Sequence, residues 1–341
     1  MILSEPGVEN RKASMRSLTR FAWLTLAYNI AVILWGAYVR ATGSGAGCGN
    51  RWPLCNGTVL PRTSQAQTII EFTHRLTSGL AILMVASLLI WCRRKTSKGD
   101  WARRSSALAL LLLFNEALLG ALLVLFEHVA QDRSPGRGFF LCAHFGNTLL
   151  LLAALALSAH WLSEGHRRFS VVGNGREITA VVSGLLATMS IGITGSLAAL
   201  GDTLFPTTSL RASLIEDFSS GNILLRLRVL HPVVAVIAAI YVLWLILRIL
   251  KRPGRTWNQE VLLAGVLSGQ IGLGILNVLL LAPVWLQLVH LLVAELYWVL
   301  VVLASANLLF AAVECNSDAR AVGTNSGDRV SAGISLSAPG W

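Results

Sequence analysis

Charge is what this sequence has least of. Asp, Glu, Lys and Arg together make up 13% of 341 residues, about half the share an ordinary soluble domain carries, so most of the chain has no means of facing water. Acidic residues are the scarcer kind, 17 against 28 Lys and Arg. Cysteine is sparse too: five in the whole chain exclude a disulfide-built scaffold. The first twenty residues lack the apolar core of a cleavable signal peptide, so the first apolar run is expected to stay in the bilayer as anchor and insertion signal. The tail after Cys315 is rich in Gly, Ser, Ala and Asn, lacks hydrophobic periodicity, and is expected to be disordered.

What the chain has instead is apolar length. Hydrophobic residues make up 54% and the mean hydropathy is +0.64. Eight apolar runs, at 21–40, 69–92, 105–127, 139–162, 178–200, 224–248, 259–281 and 285–312, each approach the roughly 20 residues that cross the hydrocarbon. The fold class is therefore all-α integral membrane protein. Placing both termini in the cytoplasm puts nineteen of the 28 basic residues on the inner side, which satisfies the positive-inside rule. The net charge of +11 is thereby explained without nucleic acid, and the expected location is the plasma membrane.

The eight runs repeat in two sets of four. Asn115, Glu116 and Gly120 in the third are echoed by Gln270, Gly274 and Asn277 in the seventh. Thr42-Gly43-Ser44 at the end of the first is matched to Thr194-Gly195-Ser196 at the end of the fifth. His74 and His144 open the second and fourth as His231 and His290 open the sixth and eighth. A duplication of four helices follows, with parallel halves, because four spans return the chain to its starting side. The division is residues 1–20 as N-terminus, 21–162 as first half, 163–177 as linker, 178–312 as second half and 313–341 as tail, with two pseudo-symmetric four-helix bundles.

All four even-numbered spans run from outside to inside, so their histidines share one depth near the outer leaflet. Facing histidines on neighbouring helices can supply the two axial ligands of a haem. Copper or zinc would want a third ligand, for which only His128 and Cys142 lie near, and neither recurs in the other half. His160 and His166 are expected as solvated boundary residues.

The halves differ chemically. Three residues before His74 stands Glu71; three before His231 stands Arg228. A carboxylate beside a haem edge can orient or deprotonate a reacting group, whereas Arg226 and Arg228, like Arg75, can hold propionates. The first half is therefore expected to do chemistry and the second to hold a permanent cofactor. An acid near a helix start, favoured by the macrodipole, is the alternative for Glu71; membrane-boundary anchoring is the alternative for the arginines. Cys48 and Cys55, on the oxidising side, are expected to form a disulfide, with two unpaired thiols as the alternative.

Gly36-Ala-Tyr-Val-Arg-Ala-Thr-Gly-Ser-Gly45, Cys48 with Trp52-Pro53-Leu54-Cys55-Asn56-Gly57, Glu71-Phe-Thr-His-Arg75, His144, His231-Pro232 and His290 together resemble the haem A synthase family across residues 20–312. The resemblance implies oxidation of the C8 methyl group of haem O to a formyl group, yielding haem A for terminal oxidases. It implies His74 and His144 as ligands of the substrate haem, His231 and His290 as ligands of haem b, and Glu71 as the catalytic acid or base. The partners it implies are the haem O substrate and the lipid bilayer, together with a haem O synthase and an electron donor; a homo-oligomer is compatible with it. In some members the first-loop cysteines are tied to electron or haem transfer, and a structural brace is the other reading here. The chain departs from the family pattern in having no second cysteine pair between Gly201 and Asn222, and acids at Glu116, where glutamine is usual, and at Glu295. A bis-histidine cytochrome b passing electrons from quinol would explain the histidines and the duplication, but not the acid-versus-cation asymmetry. A transporter of two repeats would want its polar groups at the midplane.

Overall fold

Long apolar segments with few breakers can only form helices in lipid, where every backbone group must be paired within its own segment. The computed structural model describes residues 6–61, 64–165, 168–171, 173–219, 221–250 and 258–313. In it the spans are α1 (Pro6–Ala41), α2 (Ala66–Lys95), α3 (Trp101–Leu125), α4 (Pro135–Ser163), α5 (Gly175–Leu204), α7 (Ile223–Leu250), α8 (Asn258–Leu279) and α9 (Val284–Leu309). A short helix, α6 (Leu210–Ser219), lies in the connection between α5 and α7. Among the described residues, eight of these nine helices are long and apolar enough to cross a membrane, and the protein is a multi-pass membrane protein. Large side chains such as Leu83, Leu111, Ile237 and Ile240 are exposed on the outside of the bundle, as a lipid-facing surface requires.

Local chemistry sets the helix ends. Asp100 caps α3 by accepting from the Ala102 N–H, and Ser134 caps α4 ahead of Pro135. Asn174 and Glu177 form a capping box at α5. At the end of α1, Gly43 takes φ +65°, a left-handed conformation that stops the helix at little cost because glycine has no Cβ.

Each half closes into a ring. In the first, α1 packs on α2 and α4, and α3 on α2 and α4; in the second, α5 packs on α7 and α9, and α8 on α7 and α9. The seam joins α1 and α4 to α5 and α9. Its core holds Leu149, Leu152 and Leu155 of α4 against Trp298, Val299 and Val302 of α9, and the Trp298 indole N–H donates to the Leu149 carbonyl at 2.7 Å.

The end of the bundle that carries the α4–α5 connection differs from expectation. The last helix stops at Leu309, and Phe310–Val313 pairs antiparallel with Arg168–Val171, with Val171 opposite Phe310. Phe310 wedges edge-on against Trp101 and Trp161, 5.3 Å from each ring, which draws the chain out of the helix. His160 is buried on Trp161 at 4.7 Å, not solvated. His166, the linker arginine Arg167, the basic residues 251–255 and the tail from 314 lie outside the described residues.

Candidate functional site

The loop between α1 and α2 is pinned to α2 by the cluster near the start of that helix. Cys48 and Cys55 form a disulfide with Cα atoms 4.3 Å apart. The Cys48 N–H donates to Glu71 Oε2 at 2.8 Å. Arg75 donates to Glu71 Oε1 from Nη2 at 2.5 Å and from Nε at 3.1 Å, and to the Leu54 carbonyl at 3.0 Å. Glu71 is 3% exposed, so a carboxylate on the inner wall of the loop is shielded from water and matched by one cation. It lies six residues into α2, beyond the first turn where a macrodipole preference would place an acid.

His74, three residues on, points the same way. Its ring lies against Gly36 of α1, where an added Cβ would stand 2.9 Å from Cε1. The same pairing recurs three times: His144 over Gly120 of α3, His231 over Gly195 of α5, and His290 over Gly274 of α8, at 3.8, 3.1 and 3.3 Å by the same measure. Every histidine-bearing span thus meets a glycine on the span before it, which leaves an imidazole beside bare backbone. The glycine–histidine pairing is compatible with a repeat at the histidines, but the match between Thr42-Gly43-Ser44 and Thr194-Gly195-Ser196 does not hold. The first triplet lies past the end of α1 while the second lies inside α5. The structural partner of Gly195 is Gly36, seven residues and two turns earlier than Gly43.

His74 and His144 lie within electrostatic reach of one another, as do His231 and His290, so the imidazoles are grouped by half. Nδ1 of His74 and His290 is buried without a hydrogen-bond partner, that of His144 is 3.2 Å from Glu116 Oε1 but off hydrogen-bond geometry, and that of His231 is 3.2 Å from the Thr194 hydroxyl. In the second half Gln270 Oε1 and Asn277 Oδ1 are also buried and unpartnered, an arrangement that is costly unless something else satisfies it. Among the described residues no group of three or more His, Cys, Asp or Glu is placed to share a metal ion. Paired imidazoles facing glycines, with orphaned polar atoms around them, fit a planar group held by two axial ligands better than a tetrahedral ion.

Arg228 has other company than expected. Its side chain is buried and binds Asp217 of α6 at 2.5 Å, Asp202 of α5 at 3.4 Å and the Ser213 hydroxyl at 2.8 Å. A guanidinium in this position needs counter-charge, and the α5–α7 connection supplies it; Arg228 therefore ties α6 to α5 and α7. Arg226 is exposed two residues earlier.

Arg40 of α1 bridges the halves. It donates to the Ala199 carbonyl and the Thr203 hydroxyl of α5 and to Gln287 Oε1 of α9 at 3.1 Å. His128 stands apart from the histidine pairs, in the α3–α4 connection, against Asp132 Oδ2 at 2.8 Å. Burial acts to raise the Asp132 carboxyl, but hydrogen bonds from Ser134 and contact with His128 outweigh it and leave it below its ordinary value. Cys142 is a free thiol in α4.

The model of the COX15-CtaA family, cytochrome oxidase assembly proteins, matches residues 19–302. A Thermus thermophilus protein named protohaem IX farnesyltransferase is 45% identical over 296 residues, 86% of this chain and 48% of that protein. Haem A synthases of Halalkalibacterium halodurans and Geobacillus kaustophilus are 40% identical over 142 residues and 37% identical over 155, covering 42% and 46% of this chain and 45% and 46% of theirs. The chain spans about half the length of the curated relatives it matches.

Proposed function

Since the chain belongs to the COX15-CtaA family, the family of the haem A synthases it matches, we propose that it oxidises the C8 methyl group of haem O to the formyl group of haem A. The observation that carries this reading is the pairing of like scaffolds with unlike neighbours. Both halves present two imidazoles over glycines, but His74 is flanked by the buried carboxylate of Glu71, and His231 by the ion-paired Arg228.

In this reading residues 21–162 hold the substrate, with His74 and His144 on its iron, and residues 178–312 hold haem b through His231 and His290. Turning a methyl into a formyl group removes four electrons and adds one oxygen atom, so an external oxidant of the dioxygen class would be consumed, and bound haem would supply the redox-active iron through which it acts. The protein supplies position and proton handling. Glu71, shielded from water by the disulfide loop, takes or returns protons at the reacting carbon. Arg75 holds that carboxylate in place, and the Cys48 N–H fixes its second oxygen. Arg75 and Arg226 are the proposed propionate contacts, and Arg228 acts through the brace it forms with α6.

The termini are assigned to the cytoplasm and the protein to the plasma membrane, on the basic residues of the inner connections. A haem O synthase is the proposed source of substrate. The Thermus relative supports this: it is named for farnesyl transfer to protohaem IX, the reaction that makes a farnesylated haem, and about half of its length matches this chain. An electron donor completes the set.

The test is Glu71→Ala in cells that supply haem O. Haem A should disappear while the second-half haem spectrum stays intact; an unchanged yield of haem A removes Glu71 from the chemistry.

A further inference from the structure

We propose that Glu116 is a positioning residue for His144, its carboxylate taking up Nδ1 of that ring and so setting how strongly the histidine donates to the first-half haem iron. This deepens the reading above and rests on His144 as a ligand.

Glu116 lies on α3, one turn before Gly120, the glycine under the same imidazole. Its Oε1 is 3.2 Å from His144 Nδ1. That nitrogen is buried and makes no hydrogen bond of ordinary geometry, so a modest rotation of the ring completes the contact. The carboxylate itself is held from the other side. Asn147 Nδ2 donates to Oε2 at 2.5 Å, the Thr148 hydroxyl donates to Oε1, and the Asn115 amide donates to Asn147 Oδ1 at 2.8 Å. The Asn147 amide is a fixed donor to Oε2, whereas the Thr148 hydroxyl, also 3.0 Å from the His144 carbonyl, has one proton for two oxygens, so Oε1 keeps a lone pair for the ring. An imidazole whose Nδ1–H is held by a carboxylate presents Nε2 to the metal and is the more basic ligand.

The other half supplies the comparison. Gln270 lies one turn before Gly274 as Glu116 lies one turn before Gly120, and each neighbours the histidine of the next span. There the side chain is a neutral amide, whose Nε2 donates to the His290 carbonyl at 3.0 Å and stands 3.5 Å from His290 Nε2. The two ligand histidines thus differ in neighbour: a carboxylate at Nδ1 of His144 in the first half, and in the second an amide at Nε2 and the carbonyl of His290, whose Nδ1 has no partner. An anion at the ligand favours the oxidised, more positive iron, so the first-half haem is held at a lower potential than it would have beside glutamine.

The experiment is an optical redox titration of the purified, haem-loaded protein, with the first-half signal assigned as the one lost in His144→Ala. Glu116→Gln keeps shape and an acceptor oxygen but removes the charge. It should shift the reduction equilibrium of the first-half haem about tenfold toward the reduced form, about 59 mV upward for one electron, leaving the other haem in place. Gln270→Glu should move the second-half haem downward and spare the first. A residue that merely packs the bundle would alter haem content without these opposite, site-specific shifts. If His144→Ala removes one signal but neither exchange moves its own haem, the inference on Glu116 is overturned while the ligand reading stands. If His144→Ala removes no signal, both fall.

Discussion

Replacing Gly36 by alanine puts a methyl carbon 2.9 Å from Cε1 and 3.1 Å from Nε2 of His74. Ordinary carbon contacts are about 3.5–4.0 Å, so the ring has to retreat by about 0.6–1.1 Å. A free side chain makes that move cheaply. A ring fixed on iron does not, since a functional group must be held within about 0.5 Å of its working position. The same arithmetic gives about 0.4–0.9 Å at Gly195, where the separation is 3.1 Å, and about 0.2–0.7 Å at Gly274, at 3.3 Å, but next to nothing at Gly120, at 3.8 Å. The alanine series should therefore lower haem affinity in the order Gly36, Gly195, Gly274, Gly120, with the first losing on the order of tenfold and the last unchanged. Fold stability should move the other way, because alanine in a helix is favoured over glycine by about 1 kcal/mol. Haem content by optical spectroscopy, read beside thermal unfolding in detergent, separates the two. Equal haem loss at Gly36 and Gly120, or loss that tracks unfolding, would refute the claim that these glycines make room for ligand imidazoles.

Three further outcomes follow from the same geometry. Arg228→Ala leaves Asp217 and Asp202 facing each other without their cation, at about 3–5 kcal/mol for a buried pair broken from one side; α6 should then be cut by protease at concentrations that spare the parent protein. His231→Ala or His290→Ala should deplete haem b from the purified protein, and full haem b in both would reverse the assignment of the halves. Cys48→Ser with Cys55→Ser opens a loop of sequence separation 7, worth about 2 kcal/mol of loop-closure entropy. The melting temperature should fall, and loss of haem A beyond what that fall explains would argue for more than a brace.

The spans were legible because hydropathy is a sum over twenty residues, and tertiary contacts cannot override it in lipid. The four histidines stood out because a polar residue in such a run is unusual, and the structure sets each against a glycine of the preceding span. The glycines under them were not, since glycine is common in these helices and its meaning depends on which helix lies opposite; the recurrence one span before each histidine was the signal available. The Thr-Gly-Ser match misled because identical triplets can fall at a helix end in one half and two turns inside a helix in the other. Arg228 looked poised for propionates only while the chain between α5 and α7 was taken as loop. The spacing of Leu210, Leu214 and Phe218 marks a helix there, and that helix carries Asp217, which claims the guanidinium. Arg40 could not be assigned because its partners are 159 to 247 residues away in sequence.

The most direct measurement is the mass of the haems extracted from protein purified out of cells that make haem O, for the parent chain and for His144→Ala. The account predicts haem b together with a farnesyl-bearing haem in the parent, and haem b alone in the variant. Haem b alone in both would contradict it and leave a bis-histidine electron carrier.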